Sequence, residues 1–266
     1  MKSSHLKMIA RQRIGNKIGT LTLATLIYYA IAFGVLMAIM FVYSTNLMAK
    51  GVFESVDTMN EYAMQMSQSL SMQLISDAAS LVIGALLATM SVGIMYMALK
   101  VARGQDITVN DLFFVYRNNP DKVILIYIIQ YLVGYVVSIP AIFLARFEPA
   151  MDQNIPLYVL YLILFIAGEV LRIIALILFS QSNFIYLDNP NENVLTCIMV
   201  SVNTMKKNKW RYFCLSFSFF GLLLLVALTC GMAALWVMPY MYVTFALFYL
   251  QLRGENGSRV DVTINE

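Results

Sequence analysis

Charge is scarce in this sequence. Only 12% of its 266 residues are Asp, Glu, Lys or Arg, and 60% are hydrophobic. An average soluble domain is about 25% charged and about 45–50% apolar. A chain of this size cannot hide so much apolar surface from water. That excludes a soluble globular protein, a disordered chain and a disulfide scaffold. The mean hydropathy of +0.73 agrees, and an integral membrane protein remains.

Other absences narrow the chemistry. His5 is the single histidine, and it lies in a basic N-terminal segment. No Ser-His-Asp triad and no histidine-rich metal cluster can therefore be built inside the membrane. Cys197, Cys214 and Cys230 have no paired spacing and read as free thiols. The net charge of +3 is too small for a nucleic-acid binder. The chain has no phosphate-binding Walker loop, no His-Glu-x-x-His and no Gly-x-Ser-x-Gly. The expectation is a protein that is not an enzyme and needs no cofactor or resident metal.

What the sequence has is long apolar runs. A helix needs roughly 20 apolar residues to cross about 30 Å of hydrocarbon. The run 19–44 carries no charge and follows Lys2, Lys7, Arg11, Arg13 and Lys17. It is longer than the roughly 7–15 residues of a cleaved signal peptide's apolar region, so it reads as a retained span. Further spans are expected at 78–99, 123–145 and 157–186, the last interrupted by Glu169 and Arg172. The uncharged stretch from Tyr212 to Leu252 is roughly 40 residues, about 60 Å as a helix, too long for one pass. Glycine permits a tight reversal at Cys230-Gly231, dividing it into 212–230 and 232–252. The fold class expected is all-α: one polytopic membrane domain over 1–266, with six transmembrane helices and short amphipathic cytoplasmic helices.

Loop charges agree with that count. The N-terminal segment, 100–122 (Lys100, Arg103, Arg117, Lys122) and 187–211 (Lys206, Lys207, Lys209, Arg211) are basic. The intervening loops are acidic, with Glu54, Asp57, Glu61 and Asp77 in one and Glu148 and Asp152 in the other. Excess Lys/Arg marks the cytoplasmic side, which places both termini inside.

The basic segments read as amphipathic helices leading into spans. In 108–117, Thr108 and Asp111 form a capping-box variant. In 190–205, Pro190 suits a first helical turn, and Val194, Leu195, Ile198, Met199, Val202 and Met205 follow at helical spacing. Lys206, Lys207, Lys209 and Arg211 would face anionic headgroups, with Trp210 anchored at that depth. The bilayer and its cytoplasmic headgroups are thus the expected partners, together with a membrane-protein partner. Gly15-Asn16-Lys17, Pro120-Asp121-Lys122 and Lys207-Asn208-Lys209 each open a span. They suggest one unit of interfacial helix, turn and helical hairpin used three times.

Ordered similarity to a known family runs along most of the chain. It begins with Ala10-Arg11 and Gly15-Asn16, then Ala102-Arg103-Gly104 and Asp111-Leu112-Phe113. Leu187-Asp188-Asn189-Pro190, Met205-Lys206 and Lys209-Trp210-Arg211 follow. Leu235-Trp236-Val237-Met238-Pro239-Tyr240 and Phe248-Tyr249 complete it. On these stretches the chain resembles the bacterial multi-pass membrane proteins grouped as domain of unknown function 975. Where that family shows an Ile-Pro-Gly turn ahead of a basic residue, this chain has Ile166-Ala167-Gly168-Glu169 before Arg172, and Ile139-Pro140-Ala141 earlier. The resemblance implies a six-pass α-helical protein of the bacterial plasma membrane, and no activity.

Glu169 and Arg172 are the charges well inside a span. Three residues apart, they share a helical face and can pair. A charge in hydrocarbon costs roughly 2.5–3.5 kcal/mol or more on insertion scales. The pair is a proton or ion relay, an anionic-headgroup site at Arg172, or a packing pair between helices. Gln130, Gln181 and Asn183 would extend a polar network or make ordinary interhelical hydrogen bonds. Pro239 would kink the last span as a hinge or as static shape. Met59, Met64, Met66 and Met72 could offer thioethers to Cu(I), or belong to a polar interfacial helix with Asn60, Gln65, Gln68 and Gln73. The apolar spans and short loops point first to a non-catalytic membrane scaffold or accessory subunit. The alternative is a small transporter or lipid-binding permease built around Glu169 and Arg172. A water-accessible cavity reaching Arg172 would favour the alternative; a close-packed bundle would favour the scaffold.

Overall fold

A computed structural model describes residues 3–49, 51, 52, 54–60, 62, 69–145 and 155–254. Lys2, Glu61, Met64, Gln65, Met66, Gln68, Glu148 and Asp152 lie outside the described residues. Among the described residues every regular element is helical. Helix α1 covers Ser3–Ile14, α2 Ile18–Ala49, α3 Leu70–Ala102 and α4 Phe114–Arg117. Next come α5 Pro120–Ala145, α6 Ile155–Phe179, α7 Ser182–Asp188 and α8 Val194–Lys206. Then follow α9 Lys209–Phe217, α10 Phe220–Leu228 and α11 Ala234–Leu252. Six helical stretches among them are long and apolar enough to cross a membrane, matching the six apolar runs. The expected starts at Gly15-Asn16-Lys17, Pro120 and Asn208-Lys209 each coincide with the opening of a span.

The reversal at Cys230-Gly231 is where the sequence placed it. Cys230 has φ +49° and Gly231 φ +90°, a left-handed conformation that glycine adopts without penalty. The Gly231 N–H donates to the Val226 carbonyl at 2.8 Å, closing the end of α10.

Four expectations need correction. The fifth span is two helices, because Lys7 Nζ donates to the Ser218 carbonyl at 2.6 Å and sits 4.0 Å over the Phe219 ring. The ammonium claims a carbonyl that the helical ladder would otherwise use. The fourth span breaks after Phe179, where the Gln181 N–H donates to Ser201 Oγ and Ser201 Oγ donates to the Leu178 carbonyl. Pro190 is outside α8, which starts after Asn193; Lys122 Nζ takes the Pro190 carbonyl at 2.7 Å and holds that turn. Finally, 108–117 is a 3₁₀ turn, Val109–Phe113, followed by the short α4. Helix α5 runs unbroken through Pro140.

The three basic segments meet at one end of the bundle. Lys17 pairs with Asp106 at 2.9 Å, Lys100 with Asp111 at 2.9 Å and Arg103 with Asp188 at 2.8 Å. The core sits at this basic end: Tyr186, Tyr249, Phe184, Phe219 and Phe248 are its largest buried side chains. Helix α1 docks Leu6, Ile9, Ala10 and Ile14 into it. The apolar side of α8 divides: Val194, Cys197, Ile198 and Met205 are buried in protein, while Leu195 and Met199 are exposed. Away from this end the peripheral helices bury little of their surface in protein. Only Leu21, Ala24 and Thr25 are buried on α2, Gly168 on α6 and none on α10. Acyl chains are the solvent these apolar faces suit.

The capping pair is formed as expected: the Thr108 N–H donates to Asp111 Oδ2 at 2.8 Å. Burial works to raise the Asp111 carboxyl, but the Thr108 N–H and the Lys100 ammonium together hold it below the ordinary carboxylate range. A depressed acid stabilises the fold at neutral pH and loses that contribution as pH falls through its folded value. Asp111→Asn is therefore expected to cost about 1–2 kcal/mol at neutral pH. The difference from wild type should shrink as both melt in acid, as read by thermal unfolding in detergent. A difference that does not change with pH would contradict the assignment.

Candidate functional site

Helix α6 places Glu169 and Arg172 one turn apart. Arg172 donates through Nε at 3.0 Å and Nη2 at 2.6 Å, both to Glu169 Oε2. The Arg172 side chain is 46% accessible and that of Glu169 35%, so the pair is not sealed between helices. Helices α5 and α6 approach through small residues. Gly134 lies beside the Arg172 stem, where an added Cβ would be 3.9 Å from Cγ and Cδ, and Gly168 lies 3.4 Å by the same measure from the Val137 carbonyl. Gly134 is about 21 Å along α5 from Pro120, and the whole helix is about 39 Å long. Arg172 therefore stands near mid-span.

The pair borders a cavity of about 450 Å³ that also touches Asp77, Gln130 and Ser138. One wall is a tyrosine ladder on α5. Tyr127, Tyr131 and Tyr135 recur every fourth residue, with ring centroids 6.3 and 6.4 Å apart. The Tyr131 hydroxyl reaches the Asp77 carbonyl at 3.4 Å. A second cavity, about 360 Å³, lies nearer the basic end between α2, α3, α5 and α7. Tyr28, Ser91 and Asn183 line it, and it shares Tyr127 and Gln130 with the first.

The structure thus divides the polar residues singled out in the sequence. Gln130 joins Glu169 and Arg172. Asn183 lines the second cavity, with its Oδ1 buried and unpartnered among the described residues. Gln181 borders neither cavity; it is fully buried, and its Nε2 donates to Ser180 Oγ at 2.9 Å. Pro239 is buried in an α11 that continues through it and lines neither cavity. Trp210, 74% exposed, stacks on Phe213 at the basic end. Lys206, Lys207, Lys209 and Arg211 are exposed beside it. Sequence reasoning missed Tyr127, Tyr131, Tyr135 and Asp77. The four-residue tyrosine spacing was the available signal.

These features define a class: a polytopic α-helical membrane protein with a charged, tyrosine-walled cleft between its second, third and fourth spans. Residues 1–256 match the family described as Protein of unknown function (DUF975), and the chain belongs to it. No curated protein and no solved structure matches the chain.

Proposed function

We propose that this protein is a small transporter or lipid-binding permease of the bacterial plasma membrane, with both termini in the cytoplasm and no catalytic activity. The observation that carries the reading is the cavity reaching Arg172. A scaffold has no need of an accessible ion pair near mid-span, where isolated charges are costly. A binding site does, because the ligand supplies the polar contacts that lipid withholds. The basic cluster at Lys206, Lys207, Lys209 and Arg211, with Trp210, fits contact with anionic headgroups at the cytoplasmic surface.

Cysteine labelling tests the site. In a background with the exposed Cys214 and Cys230 replaced by alanine, Leu176→Cys faces the cavity. It is expected to react with a small, membrane-impermeant thiosulfonate and to be protected by a bound solute or lipid. Ile174→Cys, two residues away and outside the lining, should stay unreactive. Equal reactivity at both positions, or none at either, would remove the support for a binding cleft. Arg172→Leu should abolish binding or transport while leaving membrane insertion normal; retained function in that variant points back to the scaffold. A C-terminal reporter should be active inside the cell.

A further inference from the structure

We propose that the two cavities are chambers of one headgroup track across the bilayer, partitioned at Tyr127, and that its cargo is a zwitterionic phospholipid. This rests on the transporter reading above and adds route, cargo and gate.

Length comes first. On α5 the lining residues run from Val123 in one cavity to Ile142 in the other. That is about 28 Å at 1.5 Å per residue, against about 30 Å of hydrocarbon. The chambers abut, because Tyr127 and Gln130 belong to both. Polar side chains on α5 line the middle of that depth, from Tyr127 to Ser138, about 16 Å, with apolar Val123 and Ile142 at the two ends.

The rim is apolar and open. Ile142 and Leu176, at the edge of the far chamber, are 39% and 50% exposed. Such a rim lets acyl chains remain in the bilayer while the headgroup occupies the cleft. A water-soluble solute would need a closed wall there.

Charge selects the cargo. The far chamber holds Asp77, Glu169 and Arg172, two carboxylates and one guanidinium. A phosphate can engage the Arg172 guanidinium, and an ammonium can engage the carboxylates. Glu169 receives both Arg172 bonds on Oε2, which leaves Oε1 without a partner among the described residues. An anionic headgroup without an ammonium would add to a chamber whose two carboxylates already outnumber its one guanidinium. In the near chamber the buried Asn183 Oδ1, without a partner among the described residues, is an acceptor for the same ammonium.

Tyr127 is the partition. Its hydroxyl lies where a Cβ on Gly84 would be 1.9 Å away, so the ring closes from α5 onto the α3 backbone at the shared wall. Passage between chambers requires this ring to turn.

The test uses the purified full chain in phosphatidylcholine vesicles carrying tracers with an acyl-chain fluorophore. Transbilayer movement is read by dithionite quenching. The expected result is faster movement of phosphatidylethanolamine than of phosphatidylglycerol, by about tenfold, with Arg172→Leu and Glu169→Gln each removing most of the difference. Tyr127→Ala should accelerate movement several-fold, and Tyr127→Phe should not. Equal rates for the two lipids overturn the cargo. Uptake of a free zwitterion such as glycine betaine, with no lipid movement, overturns the lipid in favour of a solute. Unchanged rates in a folded Tyr127→Ala overturn the partition. No lipid movement, with phosphatidylethanolamine still retained in native mass spectrometry and Leu176→Cys still labelled, overturns the track and leaves the binding cleft standing. Loss of retention and labelling together overturns both.

Discussion

Alanine at Gly93 is expected to prevent the protein from accumulating as a folded species. Gly93 lies in α3, where the 3₁₀ turn Val109–Phe113 packs against it. A Cβ there would stand 1.9 Å from the Leu112 carbonyl oxygen and 2.9 Å from its carbonyl carbon. Both are backbone atoms, so no rotamer change relieves the contact. Val92, Ile94 and Leu112 around it are almost fully buried, so separation would open the core. Overpacking costs about 1–3 kcal/mol where side chains can adjust; against fixed backbone the upper end or more is expected. That is a large share of a total stability of about 5–15 kcal/mol. Size-exclusion chromatography of a fluorescent fusion in detergent reads the outcome as loss of the monodisperse peak. Gly221→Ala is the control. Among the described residues nothing lies within 4 Å of its added Cβ, and alanine favours the helix by about 1 kcal/mol over glycine, so it should melt no lower than wild type. A normal peak and melting temperature for Gly93→Ala would mean that the turn does not rest on α3 as described.

Asp188→Ala should be the next most damaging change. Asp188 ends α7 with its side chain only 8% exposed, 2.8 Å from Arg103. It also accepts a bond from the Tyr249 hydroxyl at 2.6 Å. Three segments meet on this carboxylate: the loop after α3, the end of the fourth span and the last helix. Removing one partner of a buried pair costs about 3–5 kcal/mol, mostly through the charge left behind. Arg103 is 28% exposed, so water relieves part of that, and about 3 kcal/mol is the expected loss. Tyr249→Phe removes one hydrogen bond and should cost about 1–2 kcal/mol. Asp188→Ala and Tyr249→Phe should be non-additive in a double-mutant cycle read by thermal unfolding. Strict additivity would show that the carboxylate does not join the last helix to the rest.

The spans were legible because crossing a bilayer imposes a minimum length and forbids charge, and both can be counted along the chain. Glu169 and Arg172 were visible by the same rule, as charges where hydrocarbon is expected. The tyrosine wall was not. Tyr127, Tyr131 and Tyr135 sit among 16 tyrosines, and four-residue spacing on an apolar helix suits lipid-facing or core positions equally well. Their role depends on α6 bringing Arg172 against Gly134. Gln181 and Asn183 look equivalent in the sequence, two residues apart. The break after Phe179 and the bond to Ser201 bury one and turn the other to a cavity. Neither effect has a local signature.

The amino-acid order alone settled which stretches are long and apolar enough to cross a membrane and where the chain reverses at Cys230-Gly231. Those outcomes depend on solvation and backbone freedom, which act residue by residue. Tertiary structure decided the helix break that Lys7 makes at Ser218, the burial of α1 and half of α8 in protein, and the cleft that collects Asp77, Gln130, Glu169 and Arg172. Each needs partners from distant segments, and hydrogen bonds and packing are set by distance in space.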